Sequence, residues 1–244
     1  MRKLFLTLGI LISNDALAQS CIPVPDCAAM GYTETSCSGN FLRCPFDTTK
    51  MACISSQSGG ANCRIGDIYY TDKTCSSSYN SSKTVAGIVV EDGKLIMSKP
   101  VKMTWASNTN TDVSGITNIT SSDTAKTDMN GKSNTAAIVS AYSSDTASNN
   151  AAKYCNSYTG GISGTEGEWY LPAASELYTY LYGYYTTLSL VAETMGWSFF
   201  TSTYFWSSSE YSTTYAWTVS SSGGDMNDNT KAGTTRSVSC LLEI

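Results

Sequence analysis

The residues best equipped for chemistry in this sequence are its nine cysteines. Seven of them (Cys21, Cys27, Cys37, Cys44, Cys53, Cys63 and Cys75) crowd the first third of the chain, and Cys155 and Cys240 lie far downstream. A zinc site would need C-x-x-C pairs or histidine partners, but the gaps in the crowded group run from 5 to 11 residues and the chain has no histidine. Crowding of this kind predicts a disulfide framework in an oxidising compartment. The group is odd in number, so one member is free, intermolecular or paired with a distant partner. Cys155, expected on a helix, and Cys240, expected on the last strand, are natural partners, with two buried free thiols as the alternative. Their bridge would close a loop of about 85 residues and stabilise by roughly 4–5 kcal/mol in the chain-entropy account.

Other chemistries are excluded by composition. Without histidine there is no Ser-His-Asp or Cys-His machinery. A net charge of -5, with only 14% charged residues, does not suit a nucleic-acid binder. No catalytic residues, cofactor or metal are predicted. Asp225-Met226-Asn227-Asp228-Asn229 opens like an EF-hand loop, but Thr230 stands at its sixth position and Arg236 at its twelfth, where Gly and Glu belong. Gly160, Gly161, Gly164 and Gly167 make no phosphate loop, because no Gly-Lys-Ser/Thr follows.

What remains is recognition. The polar and aromatic stretches between the last strands hold the candidate ligand-binding residues: Ser209, Glu210, Tyr211, Thr213, Thr214 and Tyr215, then Asp225, Asn227, Asp228 and Asn229. Tyr offers rigid contact area, while Ser and Asn offer adaptable hydrogen bonds. Ordinary soluble-loop composition is the alternative. Glu210 is either a binding carboxylate or the partner of a turn amide. Trp169, Trp206 and Trp217 are ligand platforms or core, and strand alternation favours core.

Three segments must position these groups. Arg2, Lys3, the apolar run Leu4–Ile12 and the small-x-small site Ala16-Leu17-Ala18 predict a signal peptide over residues 1–18; the apolar run is only about half the length needed to span a bilayer. Residues 19–64 form a Cys-, Pro- and Gly-rich segment too small to build a core without staples. Residues 65–244 read as an α+β domain. Strands are expected at Ile68–Tyr70, Val85–Val90 and Lys94–Met97, the last two joined by an Asp-Gly turn. Ala106–Lys132 is either a long loop or short edge strands. A helical region covers Thr135–Tyr142 and Thr146–Tyr158, and a second helix starts at Pro172 and continues through Leu188. Its capping is imperfect: Glu176 stands at the capping-box acid position, but Ala173 lacks the hydroxyl. Strands follow at Tyr204–Trp206 and Tyr215–Val219. A last strand has Val238, Cys240, Leu242 and Ile244 on one face, and the two ends of the domain are expected to share a sheet.

Four blocks then occur in order: Asp128-Met129-Asn130-Gly131-Lys132-Ser133-Asn134-Thr135, Ala151-Ala152-Lys153-Tyr154-Cys155, Glu168-Trp169-Tyr170-Leu171-Pro172 with Glu176-Leu177-Tyr178, and Phe205-Trp206-Ser207-Ser208-Ser209-Glu210-Tyr211 with Ala216-Trp217. Together they resemble the bacterial surface-protein family of the Lcl C-terminal domain and the related Fibrobacter major-paralogue domain, over roughly residues 65–244. The resemblance implies a C-type-lectin-like fold, with two helices packed on twisted antiparallel sheets, used for adhesion or ligand recognition. Some relatives bind sulfated polysaccharides. This chain departs from the family's Val-Arg-x-Val-Arg ending, having Arg236-Ser237-Val238-Ser239-Cys240 instead. The expected protein is a secreted or cell-surface binder of an extracellular glycan or protein, with no transmembrane segment in its mature chain. A structural appendage component is the first alternative, and a cysteine-dependent oxidase of the formylglycine-generating fold type is the second.

Overall fold

The computed structural model describes residues 63–197 and 203–244, which belong to one compact unit spanning Ser56–Ile244. The expected signal peptide and all but the last two residues of the Cys-rich segment lie outside the described residues.

Two five-stranded sheets carry the domain. The first contains β1 (Ile68–Tyr70), β2 (Cys75–Ser76), β3 (Val85–Glu91), β4 (Leu95–Met97) and the C-terminal strand β10 (Leu241–Glu243), in the order β10-β4-β3-β1-β2. The second contains β5 (Val101–Met103), β6 (Tyr204–Glu210), β7 (Tyr215–Ser220), β8 (Met226–Thr230) and β9 (Arg236–Val238), in the order β5-β9-β6-β7-β8. All pairings are antiparallel except β6 with β9. The first and last strands of the described domain therefore share a sheet, and the fold is a mixed α+β one.

The chain crosses between sheets twice, from β4 to β5 and from β9 to β10, and these two corners are bonded together. Ser98 N–H donates to the Cys240 carbonyl and Cys240 N–H donates to Ser98 Oγ, both at 2.8 Å. The corner at Ser239-Cys240 splits what the sequence suggests is one terminal strand. Its alternation survives the split: Val238, Cys240 and Leu242 enter one hydrophobic cluster and Leu241 enters the other. The same division runs through β4, where Ile96 faces one cluster and Leu95 and Met97 the other. Sheets buried on both faces explain why these strands read as continuous apolar runs.

One cluster is roofed by α2 (Gly131–Ala141) and α3 (Ala151–Ser157), and it contains Trp105, Trp169 and Trp206. The helix α2 starts four residues before the Thr135 expected from composition. α3 starts later than Thr146, because Asn149 Oδ1 accepts the Thr146 N–H at 2.8 Å and closes a turn instead. Asn150 then caps α3 by accepting the Lys153 N–H at 3.0 Å. The other cluster lies under α4 (Ala174–Glu176), the π-helical turn Leu177–Tyr182 and α5 (Tyr185–Thr194). The single helix expected from Pro172 to Leu188 is thus interrupted. Gly183 N–H bonds the Tyr178 carbonyl at 3.1 Å, an i→i+5 contact, and a Cβ on Gly183 would meet the Thr179 carbonyl oxygen at 2.2 Å. Residues 104–121 contain no strand, and α1 (Ser122–Ala125) is a short helix that composition did not suggest. Its N-cap, Ser121, accepts the Thr124 N–H at 3.1 Å.

Two disulfides join described residues. Cys155 on α3 is bonded to Cys240 between β9 and β10, 85 residues away. Cys63 is bonded to Cys75 on β2, so the predicted boundary after Arg64 is crossed by a covalent link.

Candidate functional site

Three of the four sequence blocks converge, and what they build is internal. Asp128 accepts the Asn130 N–H at 3.0 Å, the Asn130 side-chain amide at 2.9 Å and the Asn134 amide at 3.1 Å, which winds the first turn of α2. Ser209 Oγ on β6 donates to Asp128 Oδ2 at 2.6 Å and accepts the Ala174 N–H at 2.9 Å. A hydroxyl from β6 therefore satisfies the first N–H of α4, which Ala173 cannot serve. Glu176 accepts the Ala173 N–H at 2.7 Å and the Tyr170 hydroxyl at 3.1 Å, completing the cap. A Cβ on Gly131 would stand 2.1 Å from Glu176 Oε2, so glycine is required where the carboxylate crosses the start of α2. Burial outweighs these hydrogen bonds and raises the Glu176 pKa to about 7. Burial, with the neighbouring Glu176 charge, raises the Tyr170 hydroxyl far above its usual value.

Two of the expected ligand-facing residues are corrected by this arrangement. Ser209 and Glu210 are fully buried and face no solvent. The zigzag of β6 is covered on both faces, so a polar residue here must find an internal partner. Glu210 forms an ion pair with Lys231, itself fully buried, and accepts the Val113 N–H at 3.2 Å. Burial pushes the Glu210 carboxyl up and the Lys231 amine down, each opposed by the partner's charge. Trp169, Trp206 and Trp217 are buried core residues.

The remaining candidates separate to opposite ends of the second sheet. Tyr211, Thr213 and Thr214 occupy the turn between β6 and β7, and Tyr215 opens β7. Tyr211 and Ser212 N–H groups both donate to the Tyr215 carbonyl at 3.0 Å, and the Tyr211 ring stands edge-on to Trp217 at 5.4 Å. Tyr215 is 37% exposed at this tip. Asp228 is exposed on β8, an edge strand. Asn229 is committed inward, donating to Thr218 Oγ1 at 2.9 Å and accepting from Arg236 at 2.6 Å.

Asp225 and Asn227 sit at the other end, in an open cleft of about 400 Å³. The cleft is walled by Gly223–Asp225 and the first two residues of β8, by Ser122 and Lys126 at α1, by Tyr178 of the π-helical turn and by Tyr204 of β6. Its floor is held in place by short bonds: Ser220 N–H donates to the Asp225 carbonyl at 2.8 Å and Gly223 N–H to Ser220 Oγ at 3.2 Å. Gly224 has φ +67°, and a Cβ there would lie 2.8 Å from the Tyr182 ring, so the turn is seated on an aromatic face that only glycine can approach. Tyr178 packs against Tyr182 at 5.1 Å, and Lys126 Nζ lies 5.6 Å over the Tyr178 ring. The cleft thus presents an ammonium, a carboxylate, an amide, hydroxyls and an aromatic wall. Such a set suits a polar ligand with both donors and acceptors. Lys126, Tyr178 and Tyr204 were missed from sequence because each comes from a different element; the i, i+4 pair Tyr178/Tyr182 was their one detectable signal.

Among the described residues, no three His, Cys, Asp or Glu side chains gather to hold a metal ion, and no helix is long and apolar enough to cross a membrane.

No family model and no curated protein matches this sequence. Among solved structures, the crystal structure of a fimbrial protein from Bacteroides ovatus ATCC 8483 superposes with a TM-score of 0.56 at 14% identity. The match covers 74% of this chain and 49% of that one, so this chain spans about half of the fimbrial protein's length. The likeness is one of fold.

Proposed function

We propose that this chain is an exported surface or appendage protein whose domain recognises an extracellular glycan or protein through the Lys126–Tyr178–Asp225 cleft. The observation that carries the proposal is the cleft itself: a glycine-seated turn holds Asp225 and Asn227 opposite a tyrosine wall and a lysine. Disulfides within the core support an oxidising, extracytoplasmic setting. The two-sheet α+β scaffold supports a C-type-lectin-like reading, and the four sequence blocks support kinship with the Lcl C-terminal and Fibrobacter major-paralogue domains. A binding role is favoured by a cleft whose polar groups suit hydrogen bonding.

Glycan and protein arrays probed with the folded protein test this. Wild type is expected to bind a polar ligand class, and Tyr178→Ala and Asp225→Ala to lose at least tenfold in affinity while Tyr215→Ala, at the opposite end of the sheet, retains it. Silence of folded wild-type protein across both arrays, or equal binding by the cleft variants, defeats the cleft assignment. A second function, as a structural appendage subunit, is favoured by the fimbrial protein that shares the fold. Recovery of the chain in a high-molecular-weight surface polymer would favour it.

A further inference from the structure

Among the described residues, Lys231 and Glu210 form the one ion pair whose two side chains are both fully buried. They stand 21 positions apart in sequence with the whole β7–β8 hairpin between them. Lys231 Nζ rests directly against Glu210 Oε1 and donates to the Thr111 carbonyl at 3.0 Å. Its third neighbour is the Trp105 ring, 4.8 Å from Nζ and fixed by a 2.7 Å bond from its indole N–H to the Ser207 carbonyl. Glu210 Oε2 accepts the Val113 N–H at 3.2 Å. Tyr142 stands edge-on to Trp105 at 5.9 Å, and the neighbouring Asp112 carboxylate lies near enough for its charge to act on both groups. An ion pair kept here loses the hydration of both charges, and the mutual attraction often fails to repay that loss.

The geometry points to a covalent solution: an intramolecular amide between Lys231 Nζ and Glu210 Cδ, formed spontaneously in the folded protein. Desolvation pushes the Glu210 carboxyl up and the Lys231 amine down, against the charge of the partner, so each is shifted toward the neutral form that the reaction needs. One proton passes from the Nζ ammonium to Oε1. The freed lone pair on Nζ attacks Cδ, forming the N–C bond, and negative charge develops on Oε2, where the Val113 N–H is already placed to hold it. A second proton moves from Nζ to Oε1, the Cδ–Oε1 bond breaks, and Oε1 leaves as water. No electrons are exchanged and no co-reactant is needed. In the product, the remaining Nζ–H donates to Thr111 C=O, and the Oε2 carbonyl accepts from Val113 N–H. Each polar group of the new amide inherits a partner that is already in place, and neither charge remains buried. Holding the two groups in contact within a rigid core supplies the effective concentration that such a condensation lacks in water. The bond would tie the end of β6 to the segment after β8, closing the hairpin that carries both Tyr215 and Asp225.

The test is mass spectrometry of the full wild-type chain, reduced and denatured, followed by chymotryptic mapping. The expected result is a mass lower than the sequence requires by one water molecule. It should come with a branched peptide joining Ser207–Tyr211 to the peptide that carries Lys231, and with a Lys231 side chain that resists acylation under denaturing conditions. Lys231→Arg should restore the water and release Ser207–Tyr211 as a linear peptide. A wild-type chain of full mass with an acylatable Lys231 overturns the proposal. So does a water loss that maps elsewhere, such as to an aspartyl succinimide, or one that persists in Lys231→Arg. The wild-type measurement decides even if that variant fails to fold.

Discussion

Glu176 should make the domain less stable as pH rises from about 5 to 8, the reverse of the usual behaviour of a paired carboxylate. Its folded pKa is raised from 4.5 to about 7 by burial, ahead of the opposing bonds from Ala173 N–H and the Tyr170 hydroxyl. In the unfolded chain the group ionises near its ordinary value. Between these two values the native state holds a proton that the unfolded state has released, so unfolding is favoured progressively as pH increases. Below the lower value both states are protonated and the penalty is absent; above the upper value it is fully present. A shift of this size corresponds to about 3 kcal/mol across the window. Glu176→Gln removes the titration but keeps the hydrogen bonds in place. The amide oxygen can accept the Ala173 N–H, and the amide nitrogen can donate to the Tyr170 oxygen once that hydroxyl rotates. The chain has no histidine, and Asp72, held at about 2 chiefly by Lys83, titrates well below the window. Glu210, also pushed up by burial, is common to wild type and variant, so the difference between their curves reports Glu176. Urea unfolding at pH 5, 6, 7 and 8 should show wild-type stability falling and the Glu176→Gln curve distinctly flatter. A wild-type profile that is level or rising, or a variant with an unchanged slope, refutes the assignment of Glu176 as a buried, proton-holding cap.

Two further outcomes are expected. Ser209→Ala deletes both the hydroxyl that caps α4 and the donor to Asp128 Oδ2, so thermal unfolding should show a loss of about 1–3 kcal/mol; no change would mean that the Ala174 N–H finds another acceptor. Cys155→Ser with Cys240→Ser opens the 85-residue loop, and chemical denaturation should register a loss approaching 4–5 kcal/mol by the chain-entropy estimate, with the cleft ligand still bound by the fraction that remains folded.

The strands were legible because their signal is local. Ile68–Tyr70, the Asp92-Gly93 turn and the alternation from Val238 onward need only a few neighbours to declare themselves, and Gly93 takes the positive φ (63°) that an Asp-Gly turn uses. The helices were legible in type and misplaced in extent, since their boundaries are set by side chains that arrive from elsewhere or compete locally. Asn149 stops a helix at Thr146 by capturing its N–H, and the bond from Gly183 to Tyr178 inserts a π-helical turn that no 3.6-residue period reveals. Ser209 and Glu210 misled for a related reason. Ser and Glu on a strand near a turn look solvated unless the far partners, Asp128 and Lys231, are already in view.

The same contrast says where a ligand site is to be sought in this chain. The sequence blocks that stand out do so because their residues satisfy one another: Asp128 with Ser209, Glu176 with Tyr170 and the backbone of α4, Glu210 with Lys231. A side chain whose hydrogen-bonding capacity is consumed in the interior has little left for a partner, and moving it would expose the next group in the network. Lys126, Tyr204 and Asn227 belong to no block, come from three separate parts of the chain, and line an open cleft. The rigid network fixes where α4 meets β6. The π-helical turn that follows α4, and the turn that follows β7, are placed by that junction and face each other across the cleft. Recognition in such a design rests partly on residues that sequence pattern leaves anonymous, Lys126 and Tyr204, beside Tyr178, Asp225 and Asn227, all held in register by the buried network. Weakening the network, as in Ser209→Ala, should therefore blur ligand affinity through misplacement of Tyr178, whereas Asp225→Ala should remove affinity with stability intact.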